Sequence, residues 1–151
     1  MAISIPEYPS FESPAERKVW KVLTKELPLQ STIIHGAKIE YRGSTLEADF
    51  IVVWPGKGIV FIEVKGGRIR LHGSAWSTTN GAGVRKTVKP DEQARNVGHA
   101  FQEHYVTATN RSLHFGWLVV FPDSDLPVGT ETNACPRKRI VDESDLGGIK
   151  E

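Results

Sequence analysis

Asp49 and the group Glu63-Val64-Lys65 are the residues of this chain whose types and spacing could do chemistry. Each adjoins an apolar run, Phe50 to Val53 in one case and Ile59 to Ile62 in the other. The turn sequence Pro55-Gly56-Lys57-Gly58 separates the two runs. Side chains alternate along a strand, so parity decides which residues share a face. Glu47, Asp49, Ile51 and Val53 then point one way, as do Ile59, Phe61, Glu63 and Lys65. Pairing Trp54 with Gly58 across the turn sets Asp49 opposite Glu63 and Glu47 opposite Lys65, a register that one residue more or less in the loop would spoil.

Directly opposed like charges cost up to ~1 kcal/mol even at exposed sites. Partial burial raises that cost or forces one group to keep its proton. A divalent cation resolves the conflict, because two carboxylates with water and phosphate oxygens are the hard ligands that Mg²⁺ takes. Lys65 beside it could neutralise remaining charge, hold an attacking water, or stabilise the charge that grows on a phosphate during hydrolysis. The competing reading is a salt bridge from Lys65 to Glu47 or Glu63 on an exposed sheet face. An Asp followed later by Glu-x-Lys is common in unrelated strands, and the apolar company of these charges is what favours chemistry.

The elements that must position these groups follow from pattern. Ser13 as N-cap, Pro14 at the first helical position and Glu16 at the capping-box position predict a helix from Pro14 to Leu27, with Ala15, Val19, Val22 and Leu23 as its apolar stripe. Thr32 to Tyr41, interrupted by Gly36, Leu46 to Trp54 and Ile59 to Lys65 read as strands. Arg68 to Val88 reads as a twisted hairpin excursion broken by Gly73 and by Asn80-Gly81-Ala82-Gly83. Trp76 within it either packs on its own hairpin or stacks on an unpaired base. Pro90 opens a helix to about Tyr105 with Ala94, Val97 and Phe101 inward, Phe115 to Phe121 is a strand apolar on both faces, and Arg139 to Asp142 is a short last strand. The order predicts an α/β fold with a mixed central sheet carrying helices on its faces.

At 151 residues the chain is expected to form one domain. Ser144-Asp145-Leu146 reads as a helix start close to the last residue, so residues 1–151 are expected to be the N-terminal part of a longer natural protein. No run is long enough to span a membrane. The single Cys135 excludes an internal disulfide and makes a reducing cytoplasm the default location. Net charge is only +1, but Lys57 to Arg95 carries eight basic residues against three acidic ones. Arg68, Arg70, Arg85, Lys86 and Lys89 in that stretch could contact phosphates, or simply guard the edges of a solvated hairpin. His99 and His104 do not have the spacing of a metal-binding pair.

The runs Leu46-Glu47-Ala48-Asp49-Phe50-Ile51-Val52-Val53 and Ile59-Val60-Phe61-Ile62-Glu63-Val64-Lys65-Gly66-Gly67 strongly resemble the nuclease-related (NERD) domain family of the PD-(D/E)XK nuclease superfamily. The likeness extends from Ser13-Pro14-Ala15-Glu16 through Pro90-Asp91-Glu92-Gln93-Ala94 to Phe121. It implies a restriction-endonuclease-like core of helix, three strands, helix and strand, hydrolysing DNA with Mg²⁺ or Mn²⁺. On that resemblance Asp49 and Glu63 match the metal-binding acids, Lys65 the catalytic lysine, Glu16 an acidic position on the first helix that faces the site, and Gln93 a polar position on the second. Ala48 stands where the superfamily's eponymous proline would be, as is usual in NERD sequences. The version seen here looks like those fused to UvrD-like helicases, so a fused or associated helicase is an implied partner, and homo-oligomerisation has no signal. Glu16 has a second explanation in the Ser13 capping box, worth ~1 kcal/mol. The rival functions are a catalytically inactive nucleic-acid-binding module of the same fold and a protein-interaction module.

Overall fold

The computed structural model describes residues 2–148. Its elements are β1 (Ile3–Ile5), α1 (Pro14–Glu26), β2 (Thr32–Tyr41), β3 (Ser44–Trp54), β4 (Gly58–Val64), β5 (Arg68–His72), β6 (Ala75–Thr79), β7 (Arg85–Val88), α2 (Pro90–Thr109), β8 (Phe115–Phe121) and β9 (Ile140–Asp142). Ser13 Oγ accepts from the Glu16 N–H at 3.2 Å and Pro14 begins α1, as its local chemistry dictates. Helix α2 continues past the expected end at Tyr105. No Gly or Pro stops it before Asn110, which closes it in the left-handed conformation that asparagine tolerates.

The central sheet has the order β1-β2-β3-β4-β8-β9. Strands β2, β3 and β4 are antiparallel neighbours, and the pairs β1/β2, β4/β8 and β8/β9 are parallel, so the sheet is mixed. Helix α1 covers one face, where Val19 and Leu23 pack on Phe50, Val52, Ile62, Val64 and Val120. Helix α2 covers the other, where Val97 and Phe101 meet Ile51 and Phe61. Each of these positions was in phase with the predicted alternation. Among the described residues no helix is long and apolar enough to cross a membrane.

Three features depart from expectation. The excursion is a three-stranded sheet, β5-β6-β7, and not a hairpin, because the turn at Gly73 and the turn at Asn80–Gly83 each reverse the chain. It lies on the α2 side, with Ile69, Trp76 and Val88 against Val119, Phe121 and Ile140. Trp76 is 2% exposed with its ring 5.2 Å from that of Phe121, so it is a core residue and not a base-stacking platform. The short strand β1 was invisible in the sequence because three residues are too few for a pattern. Leu146–Gly148 form a single 3-10 turn with Leu146 buried, and any longer helix there would lie outside the described residues.

The departure with most consequence is a kink shared by β2 and β3. Pairing runs in one register from Thr32–Val53 to Tyr41–Ser44, but the position at which Gly36 would meet Asp49 is left unpaired. Gly36 has φ +68, in the left-handed region that favours glycine. Ile34 and Ile51 on one side of the break, and Ala37, Ile39, Leu46 and Ala48 beyond it, all pack in the α2-side cluster. Simple alternation would have sent those last four to the opposite face, so both strands reverse parity at Gly36 and Asp49.

Close approach also constrains α2. A Cβ on Gly98 would lie 2.2 Å from the Phe115 ring, which is itself held edge-on to Phe61. Gly98→Ala should therefore destabilise the fold by about 1–3 kcal/mol through overpacking, outweighing a helix-propensity gain of up to ~1 kcal/mol. Denaturant unfolding measures the difference, and an alanine variant more stable than the parent would contradict the packing described.

Candidate active site

Asp49 sits where β3 parts from β4. The ladder between these strands ends at Phe50–Ile62, and beyond it Asp49 Oδ2 takes the Val64 N–H at 2.8 Å. The kink at Gly36 thus releases Asp49 from strand pairing, and its carboxylate replaces the missing backbone acceptor. Strand β4 meanwhile continues along β8, with Lys65 N–H donating to Val120 O at 3.0 Å. The predicted register is correct as far as it runs, but the opposition of Glu47 to Lys65 does not occur. Glu47 is exposed, and Lys65 Nζ lies 3.2 Å from Glu63 Oε1.

Glu63 is buried and Asp49 half-buried, and the two carboxylates line one cleft close enough for the charge of Asp49 to act on Glu63. Burial pushes the Glu63 carboxyl up from 4.5 to about 8, helped by the Asp49 charge and opposed by Lys65. Burial likewise raises Asp49 from 3.8 to about 6, against the Val64 N–H and Lys65, while the Glu16 charge adds to the rise. Lys65 does not overcome the burial of Glu63, which is 5% exposed. At neutral pH the pair therefore holds more proton than two ordinary carboxyls would, as expected when two carboxylates share a dry site.

Glu16 resolves the ambiguity between cap and site by doing something of each. Its backbone N–H takes the Ser13 cap, but its carboxylate leaves the capping box and meets His35 Nε2 at 2.9 Å. Glu12, Glu16, Asp49, Glu63, Lys65 and Gln93 line one cleft of about 400 Å³ between the N-terminal ends of the two helices. The five residues expected at the site are thus gathered in one place. Gly66 fits immediately behind Lys65 only because it lacks a side chain, since a Cβ there would stand 2.8 Å from Ala15 Cβ.

The basic residues are placed differently, and none of the five lines this cleft. Cross-strand pairing puts Arg68, Arg70 and Arg85 on the outer face of the small sheet, with Thr79 between Arg68 and Arg85. Lys86 pairs with Thr78 and so falls on the other parity, exposed at the sheet margin, and Lys89 lies exposed just before α2. Sequence reasoning missed His35, whose one signal was its place beside the glycine that interrupts β2. It also missed Glu12 and Asn96 on the cleft wall, which local pattern does not distinguish from surface residues.

A divalent cation is testable against these donors. Two neighbouring carboxylates of raised affinity for protons are also hard donors for a divalent cation, since both signs point to a place where positive charge is wanted. Asp49 and Glu63 fit such an ion. Among the described residues no group of three or more His, Cys, Asp or Glu side chains already encloses one point, because Glu16 is turned to His35.

A mixed α/β sheet with buried acids and a lysine at the end of its central strands defines a nuclease-like domain. The model of the nuclease-related domain family, NERD, matches residues 12–122, and the chain belongs to that family. No curated protein and no solved structure matches the chain.

The raised acids carry a pH dependence. The folded state binds more protons than the unfolded chain between the ordinary carboxyl values, 3.8 and 4.5, and about 8, so the stability that depends on this pair is fully present below that range and is lost progressively as pH rises through it to about 8. In EDTA the melting temperature should fall across that window, by an amount equivalent to a few kcal/mol. Glu63→Gln, which cannot ionise, should flatten the fall and melt higher than the parent at the alkaline end. Parallel profiles for the two proteins would exclude Glu63 as the titrating group.

Proposed function

We propose that the domain is a metal-dependent nuclease of the PD-(D/E)XK type that hydrolyses DNA phosphodiester bonds. The observation that carries this reading is the Asp49–Glu63 pair beside Lys65, buried at the end of β3 and β4 in a cleft open to a ligand. Asp49 and Glu63 would hold Mg²⁺ or Mn²⁺, with Glu16 as a third acid in reach of the site. The ion supplies positive charge against the negative charge that develops on the phosphate.

The chain's own residues perform the remaining tasks. Glu63 would give its proton to solvent in order to act as a ligand, and sharing its charge with the ion would loosen its hold on Lys65. Lys65 Nζ donates hydrogen bonds toward an attacking water and toward the phosphate oxygens as charge builds on them. Gln93, on the cleft wall opposite the acids, is placed to orient the same water or the scissile phosphate. Arg68, Arg70 and Arg85 have no acidic partner within ion-pair distance among the described residues. They follow Lys65-Gly66-Gly67 onto one solvent-facing surface and would hold phosphates flanking the cleft. Lys86 and Lys89 would add a weaker, less directed attraction. A helicase, fused or associated, would supply strand separation, a role proposed on the family resemblance alone.

The second reading is a binding module that does not turn over. It is supported by the engagement of Glu16 with His35 and of Lys65 with Glu63, which leaves two acids and not three at one point.

Cleavage of single- and double-stranded DNA with Mg²⁺ or Mn²⁺, against an EDTA control, separates the two. Asp49→Ala and Lys65→Ala should each lose on the order of 10²–10³ in rate. Variants that cut as well as the parent would remove these residues from the mechanism, and salt-sensitive binding without turnover under either metal would favour the second reading.

DNA binding in EDTA tests the arginine surface separately. Arg68→Ala or Arg85→Ala should weaken binding across unrelated sequences and reduce the slope of log K against log salt by about 0.9 per lost phosphate contact. An unchanged slope would take these arginines out of the interface.

A further inference from the structure

We infer that His35 is a positioning residue for the metal-binding acids: it holds Glu16 so that one carboxylate oxygen stays available to the cleft. This rests on the metal-dependent reading given above. The His35 ring stands 4.9 Å from Phe11 and 5.1 Å from Phe50, with ring planes tilted to both. Its side chain is 10% exposed and that of Glu16 is 14% exposed, so the pair is largely withdrawn from water. A ring wedged between two aromatic side chains has little rotational freedom, and its Nε2 is therefore a directed partner for Glu16 Oε2 at 2.9 Å.

The backbone explains why the contact exists. His35 is the last paired residue of β2 before the kink, opposite Phe50, and the neighbouring Gly36 faces the position of Asp49. Ordinary alternation before the break, with Ile33 on the α1 side and Ile34 on the α2 side, places His35 under the first turn of α1. Glu16 is fixed from two directions, its N–H by Ser13 Oγ and its Oε2 by His35. Its Oε1 has no hydrogen-bond partner among the described residues, and its charge acts on Asp49. A merely structural ion pair would serve equally well with both oxygens engaged and far from the acids. Fixing one oxygen and leaving the other unbonded in the cleft that Asp49 also lines is the arrangement a third ligand needs.

Mn²⁺ binding by the full chain, followed by electron paramagnetic resonance, provides the test without requiring turnover. His35→Phe keeps the aromatic packing and removes the N–H, while His35→Gln keeps a donor. We expect His35→Phe and Glu16→Gln each to weaken Mn²⁺ binding about 10–100-fold. His35→Gln should lie nearer the parent, and Glu16→Gln/His35→Phe should be no weaker than Glu16→Gln alone, because the histidine acts through the glutamate. Additive losses in the double variant, or parental affinity in either Glu16→Gln or His35→Phe, would overturn the inference while leaving the metal site standing. A parent that binds no Mn²⁺ would overturn the metal-dependent reading itself, and the role of His35 with it. Should His35→Phe fail to fold, Glu16→Gln with His35→Gln still decides the matter. Parental affinity in Glu16→Gln overturns the inference, and weakening in Glu16→Gln that His35→Gln largely escapes supports it.

Discussion

Burying Asp49 and Glu63 against each other is the constraint on which the rest of the site depends. Two carboxylates side by side in a largely dry cleft cannot both ionise without compensation, and the fold supplies it in small parts: the Val64 N–H to Asp49 and the Lys65 ammonium to Glu63. Each of these partners comes from the end of β4, within two residues of Glu63. The site is therefore a local property of one strand end, made possible by a neighbour that withdraws from pairing at the right residue.

That withdrawal is the work of Gly36. A sheet with unbroken alternation would have paired Asp49 through its backbone. The left-handed glycine breaks the ladder at one position, reverses parity in both strands, and lets the apolar residues beyond it, Ala37, Ile39, Leu46 and Ala48, continue to cover α2. Hydrophobic burial is preserved on both sides of the break, and the single unpaired position is occupied by the acid. His35, the last paired residue before the break, meets Glu16 from the α1 side beside the acid that the break exposes.

The small sheet shows how surface charge is distributed relative to that centre. Its inner face, with Ile69, Trp76 and Val88, serves the core, and its outer face carries arginines without acidic partners among the described residues. The net charge of +1 conceals this asymmetry, because the compensating acids lie elsewhere on the chain. Separation of the half-buried acids from an exposed positive face would suit a polyanionic ligand held over a wide surface.

Much of this was legible in the order of residues. Period-two runs around Pro55-Gly56-Lys57-Gly58 determined the β3–β4 register up to Phe50–Ile62, and the Ser13-Pro14 cap with its apolar stripe determined α1, because these are short-range or strictly periodic effects. The same runs placed Asp49, Glu63 and Lys65 together. Only the tertiary structure decided the division of labour for Glu16, the irrelevance of Glu47 to Lys65, the third strand of the excursion and the role of His35. Those outcomes depend on a backbone break at Gly36 in the case of Glu47 and, for the rest, on which side chains of distant elements meet. Periodicity carries no information about either, because both are settled by packing between residues far apart in the chain.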